Sequence, residues 1–130
     1  LNTTVSLKGE QVEWDAYLQA LLDEIFKEFK KENQAIGHVK ALISEKDSFV
    51  MGNITGTSTK PSLRGKINSS DEAVLTFNAR AEIGKDELTE LVKQVINKVS
   101  REYKIETEIQ ELNSLIPGRP NPTYRFEQVV

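Results

Sequence analysis

The residues of this chain that could carry chemistry are few: one histidine, no cysteine, and basic residues scattered among β-type runs. His38 follows Gly37 near the start of the run "IGHVKALIS". Nucleophilic catalysis needs a nucleophile, a base and an orienting group within hydrogen-bond reach, and nothing near His38 in the sequence completes such a set. Its plainer reading is a residue on a strand face. One histidine with scattered carboxylates has none of the spacings that hold zinc or calcium, and the lack of cysteine removes disulfides and thiolate sites. "LRGKIN" contains Gly65-Lys66, but it lacks the earlier glycine of a P-loop and sits between strand-like residues. Glu106 and Glu108 stand two apart in an alternating run, so they share one strand face; a solvated surface gives the same pattern. The sequence therefore predicts a chain that is not an enzyme, with no catalytic, metal-binding or cofactor-binding residue.

A binding surface is the remaining chemistry. Lys40, Arg64, Lys66 and Arg80 fall on the polar faces of successive strand-like runs, with His38 and Asn78 among them. If those faces coincide, the sheet carries a basic patch on the side away from its helices. Sheets that bind RNA add stacking aromatics on that open face. Phe77 alternates with Leu75 and Ala79 toward the core, which leaves Phe49 as the aromatic that could lie elsewhere, and the RRM signature is missing. Charges that keep an open sheet soluble and blunt its edges produce the same arrangement. The net charge of −3 argues against a dedicated nucleic-acid binder.

Near the C-terminus, "LIPGRPNPTYRF" adds Arg119, Tyr124 and Arg125 to the candidate partner-binding residues. Pro117, Pro120 and Pro122 fix their own φ and restrain the residues before them, so the segment is neither helix nor central strand. A free tail would have no use for Leu115, Ile116, Tyr124 and Phe126. As an SH3-type ligand the segment fits only the loosest PxxP pattern, with Gly118 weakening a polyproline helix. A strap uses every feature: prolines lower the entropy lost on ordering, aromatics supply burial, and arginines donate hydrogen bonds. The sequence thus predicts one domain over 1–130, with 115–130 as a Pro-rich extended C-terminal strap.

The elements that must position these residues follow from periodicity. Thr4 to Leu7 reads as a short strand. Trp14, Leu18, Leu21, Leu22, Ile25, Phe26 and Phe29 recur at helical spacing and predict a helix from about Gln11 to Glu32. "IGHVKALIS" and "SFVMGNIT", joined by Glu45-Lys46-Asp47, form a hairpin signature. "SLRGKINS" follows, then a break at Ser70-Asp71-Glu72. "AVLTFNARAEI" alternates cleanly, with Ala73, Leu75, Phe77, Ala79 and Ala81 on one side. Gly84 opens a second helix whose stripe is Leu88, Leu91, Val92, Val95, Ile96 and Val99, and "KIETEIQEL" alternates again. Two singly amphipathic helices and half-buried strands require two layers. The fold class is α+β: a two-layer sandwich, mainly antiparallel, with both helices on one face. It reads as an elaborated ferredoxin-like arrangement with an extra hairpin inserted, the strand order left open.

No apolar run approaches the roughly 20 residues of a membrane span, and no signal peptide is visible, so the expected setting is cytoplasmic and without membrane contact. The chain begins "LNTTVSLKG", without methionine, which points to processing or to a domain of a longer protein.

Taken in order, Ile36-Gly37-His38-Val39-Lys40, Asn78-Ala79-Arg80, and Pro117-Gly118-Arg119-Pro120 with Pro122-Thr123-Tyr124-Arg125 resemble the C-terminal region of CobW-like P-loop GTPases. The motifs span about the last three-quarters of the chain, and the closing one is the most specific. The nucleotide-binding half of that family has no counterpart here, and the ending departs from the R-x-x-L-V-F-I-G of its better-known C-terminal domain. The resemblance implies a parent that couples GTP hydrolysis to metal or cobalamin-related cofactor delivery, a metallochaperone-type activity. GTP and magnesium would then belong to an N-terminal GTPase domain of the same polypeptide. This chain would be the non-catalytic module that senses nucleotide state or grips a client protein. The alternative is a nucleic-acid-binding α+β domain using the basic sheet face.

Overall fold

The structure, a computed structural model, describes residues 1–31, 36–55, 60–81, 83–111 and 126–128. The elements run β1 (Asn2–Val12), α1 (Trp14–Lys31), β2 (Ile36–Glu45), β3 (Ser48–Thr55), β4 (Ser62–Lys66), β5 (Ser70–Ala81), α2 (Lys85–Glu102), β6 (Glu106–Glu111) and β7 (Phe126–Gln128). They form one antiparallel sheet in the order β4-β3-β2-β5-β1-β6-β7, six strands extended at one edge by the three-residue β7. β5 separates β1 from β2, and β1 separates β5 from β6. Two split βαβ units therefore interleave, as in the ferredoxin-like arrangement, and β3 and β4 lengthen the sheet beyond β2.

The strand periodicity explains why both helices share one face. In β5, Ala73, Leu75, Phe77 and Ala79 are buried while Val74, Thr76, Asn78 and Arg80 are exposed. Val5 and Leu7, Val39, Ala41 and Ile43, and Val50 and Ile54 bury the same face of β1, β2 and β3. α1 covers β2 and β3 with Leu18, Leu21, Leu22, Ile25 and Phe29, while α2 packs beside it and against β6 through Leu88, Val92, Val95, Ile96 and Val99. Asp86 and Glu87 in the first turn of α2 and Lys30 and Lys31 in the last turn of α1 complement the helix dipoles.

Two boundaries differ from the sequence expectation, both at one corner. Gln11 and Val12 belong to β1 rather than to the first helix, because Gln11 turns at φ 43 and donates its N–H to Asp71 Oδ1 at 2.8 Å. Val12 then pairs with Ser70, across an irregularity in the ladder. That pairing also draws Ser70-Asp71-Glu72 into β5, where the sequence suggested a break. Trp14 Nε1–H donates to Ser70 Oγ at 2.8 Å and pins the start of α1 to the same corner. Tyr17, absent from the predicted apolar stripe, is fully buried, its hydroxyl 2.7 Å from Ser100 Oγ across the two helices. Burial pushes its phenol up to about 12, against the opposing effect of the Ser100 hydrogen bond.

Of the predicted strap, 115–130, residues 115–125, 129 and 130 lie outside the described residues, and Arg119, Tyr124 and Arg125 with them. Phe126 opens β7, whose backbone runs antiparallel to β6 with Phe126 opposite Gln110. Among the described residues no helix is long and apolar enough to cross a membrane.

Candidate functional site, the open face of the sheet

The register places His38, Lys40, Arg64, Lys66, Asn78 and Arg80 together on the face that the helices leave open. Residues directly opposite in antiparallel strands project to the same side. His38 lies opposite Arg80, and Lys40 opposite Asn78, on the neighbouring strands β2 and β5. Asn78 Nδ2 in turn donates to Asn2 Oδ1 on β1. Arg64 stands opposite Met51, and Lys66 opposite Phe49, on the outer pair β3 and β4. None of the four cations has an ion-pair partner among the described residues. They are spread over three strands, β2, β4 and β5, rather than gathered at one point.

The two stretches "IGHVK" and "NAR", some forty positions apart in the chain, are thus cross-strand neighbours. The glycine in the first has a local reason. β2 advances two residues from Ile36 to His38 while β5 moves one, from Ala81 to Arg80, so Gly37 is the extra residue of a β-bulge. A Cβ on Gly37 would lie 2.9 Å from the Arg80 carbonyl oxygen. Only glycine lets the two backbones meet this closely, and the bulge sets how His38 and Arg80 face each other.

The outer strands are held by a small polar knot. Glu45 at the end of β2 accepts from Ser48 Oγ at 2.5 Å and from Asn68 Nδ2 at 3.3 Å, and Ser48 Oγ accepts the Asn68 N–H at 2.9 Å. The Ser48 hydrogen bond is foremost in holding the Glu45 carboxyl below the usual carboxylate range. These contacts fasten the β2–β3 turn to the chain leaving β4. Gly65, at φ 95, has its missing Cβ position 2.7 Å from the Phe49 carbonyl oxygen and lets β4 lie close along β3.

The face is not uniformly basic. One cross-strand row runs Lys66, Phe49, Ser44, Val74, Ser6, Glu108 from β4 to β6. The row beside it, Arg64, Met51, Leu42, Thr76, Thr4, reaches Gln110. Below Glu108 come Glu72, Lys8 and Glu106 on β5, β1 and β6. Positive charge therefore collects at the β4 edge and the His38–Arg80 corner, negative charge toward β6. Apolar side chains occupy the middle: Phe49 is 50% exposed and Val74 39%, with Met51 and Leu42 half-buried. On β3, opposite Lys40, Asn53 Oδ1 is shielded from solvent with no hydrogen-bond partner among the described residues.

Sequence reasoning found the cations but missed Phe49, Met51 and Leu42 as a group, and it missed the acidic end. Among the described residues no group of three or more histidines and carboxylates is arranged to hold a metal ion. No protein-family model, no curated protein and no solved structure matches the chain.

Proposed function

We propose that this chain is a non-catalytic module, a regulatory or client-binding part of a CobW-like GTPase concerned with metal or cobalamin cofactor delivery, and that its open sheet face is the docking surface. One observation carries the reading. The two internal motifs behind the resemblance meet across β2 and β5, where they build one surface corner from His38, Lys40, Asn78 and Arg80. Exposed cations with no ion-pair partner among the described residues, beside exposed apolar side chains, suit a protein interface better than a solvated surface, where isolated apolar residues are normal but contiguous ones mark contact sites. In such a parent, the GTPase domain would bind nucleotide and magnesium, and this module would contact that domain or the client.

The experiment has two arms. This chain alone should show no GTP binding by calorimetry; micromolar affinity here would overturn the non-catalytic assignment. In the longer polypeptide carrying an upstream P-loop, Lys40→Glu with Arg80→Glu should change nucleotide affinity by about fivefold or more, the lower range of ordinary inter-site coupling. An unchanged affinity with the fold intact removes the regulatory role.

Phe49 favours a second reading, since its exposed ring lies opposite Lys66 on the open face, where RNA-binding sheets stack a base. Fluorescence anisotropy with single-stranded RNA decides it. Nucleic-acid binding would be tight and fall steeply with salt as counterions are released; a weak, sequence-blind signal leaves the protein-docking reading in place.

A further inference from the structure

The row Lys66, Phe49, Ser44, Val74, Ser6, Glu108 has a property beyond its exposure: it is complementary to its own reverse. It begins with a cation, ends with an anion, and carries between them Phe49 and Val74, the two large apolar side chains of the sheet that are exposed among the described residues. We propose that the occupant of the open face is a second copy of this chain, related by a two-fold axis that runs along the strands. The proposal rests on the reading of this face as a docking surface and names its partner.

The geometry follows from symmetry. In a two-fold contact the same patch meets itself, so each residue pairing occurs twice. An axis parallel to the strands reverses their order, laying β4 of one copy over β6 of the other. Lys66 then faces Glu108 of the second copy, and Glu108 faces its Lys66. Arg64, one row to one side of Lys66, faces the Gln110 position and adds positive charge beside the match, while Glu106 lies one row to the other side of Glu108 and outside it. Lys8 sits between Glu72 and Glu106 in the register, so those acids have a cation at hand within their own copy, while Glu108 is left to look outward. Face-to-face sheets stack about 10 Å apart with strand directions within about 30°, a spacing that Phe49, Val74, Met51 and Leu42 fill.

Size sets the expected strength. From β4 to β6, and from the His38 row to the Glu72 row, the face measures roughly 24 by 26 Å, or about 600 Å² per copy. Two such faces bury about 1,200 Å², the lower edge of specific interfaces. The dimer should therefore be micromolar and salt-sensitive, not nanomolar.

Sedimentation equilibrium on the chain over roughly 5 to 500 μM, at low and high salt, reads the association directly. One variant carries Arg64→Glu with Lys66→Glu, the other Glu106→Lys with Glu108→Lys; all four positions are exposed, and circular dichroism checks that each variant folds. Each variant alone should be monomeric, because like charges now meet twice. Mixed in equal amounts, the two should form a heterodimer, since the acidic β4 edge of the first variant would face the basic β6 edge of the second, and the unaltered edges would still match. A monomeric wild type across the range overturns the proposal. So does a dimer that survives either charge reversal, or a mixture that stays monomeric. Any of these outcomes leaves the nucleotide-coupling experiment on Lys40 and Arg80 to stand or fall separately.

Discussion

Replacing Gly37 by alanine tests the corner that joins the two motifs. The added Cβ would stand 2.9 Å from the Arg80 carbonyl oxygen, 3.5 Å from its carbon and 3.9 Å from the Ala81 Cα. Close carbon–oxygen contacts between strands are ordinarily about 3.3–3.6 Å, so β2 must retreat from β5 by a few tenths of an ångström. The obstacle is backbone in a paired strand, which cannot swing aside as a side-chain tip could. Such crowding costs about 1–3 kcal/mol, and alanine recovers at most about 1 kcal/mol of backbone entropy in a strand. The net loss should be about 1–2 kcal/mol, read as a lower urea midpoint with an unchanged slope. Because the shift sits at the bulge, the amide resonances of His38 and Arg80 should move most. A neutral or stabilising alanine, or shifts confined to the helices, would refute the argument that Gly37 is held by this approach.

Elsewhere, alanine at Gly52 would drive a Cβ into Leu22 Cδ1 beneath α1. Gly52→Ala and Leu22→Ala should therefore couple by more than about 1 kcal/mol in a double-mutant cycle, against about 0.5 kcal/mol or less for independent sites. Tyr17→Phe should cost about 1 kcal/mol by leaving the buried Ser100 hydroxyl without its partner. Tyr17 is also an acid whose folded value is raised to about 12. Between about pH 10 and 12 the folded state holds a proton that the unfolded state has lost, so stability falls as pH rises through that window. Ultraviolet titration should show one tyrosine ionising last, and Tyr17→Phe should remove that phase.

How much was legible in the sequence depended on the kind of information each feature requires. The alternation of "AVLTFNARAEI" fixes which side of β5 is buried, because one period-two pattern has one solution. The stripes of both helices were equally plain. The β1–β5 corner was not: glutamine is an uncommon residue at a φ of 43, and the Asp71 side chain that holds Gln11 there is sixty positions away. Tyr17 was missed because its hydroxyl looks polar until Ser100 arrives from α2. For the open face, the sequence identified each cation as outward-facing but not that their strands adjoin, since order and register are set by non-local pairing. In "SFVMGNIT" the outward Met51 is hidden, for it is as apolar as the buried Val50 and Ile54 on either side, and Phe49 stands out only as the aromatic that the core does not claim. Glu72 stands between two β-type runs in the sequence and joins the acidic end only through its pairing with Lys8.

The inserted strands give the face its character. A four-stranded version of this arrangement would end at β2, with the His38–Arg80 corner at its margin and little apolar surface outside the core. β3 adds an inner side that α1 can cover, made possible by Gly52 under Leu22, and an outer side bearing Phe49 and Met51. β4 then contributes Arg64 and Lys66, the positive end of the self-complementary row, opposite the negative end that β6 already supplies. An edge strand of five residues, with cations outward and Gly65 bending it at φ 95, is also a poor template for further strand addition. The insertion thus discourages growth of the sheet through its edge while enlarging the flat surface. In the proposed dimer, association runs through the face, where charge order selects the partner's orientation.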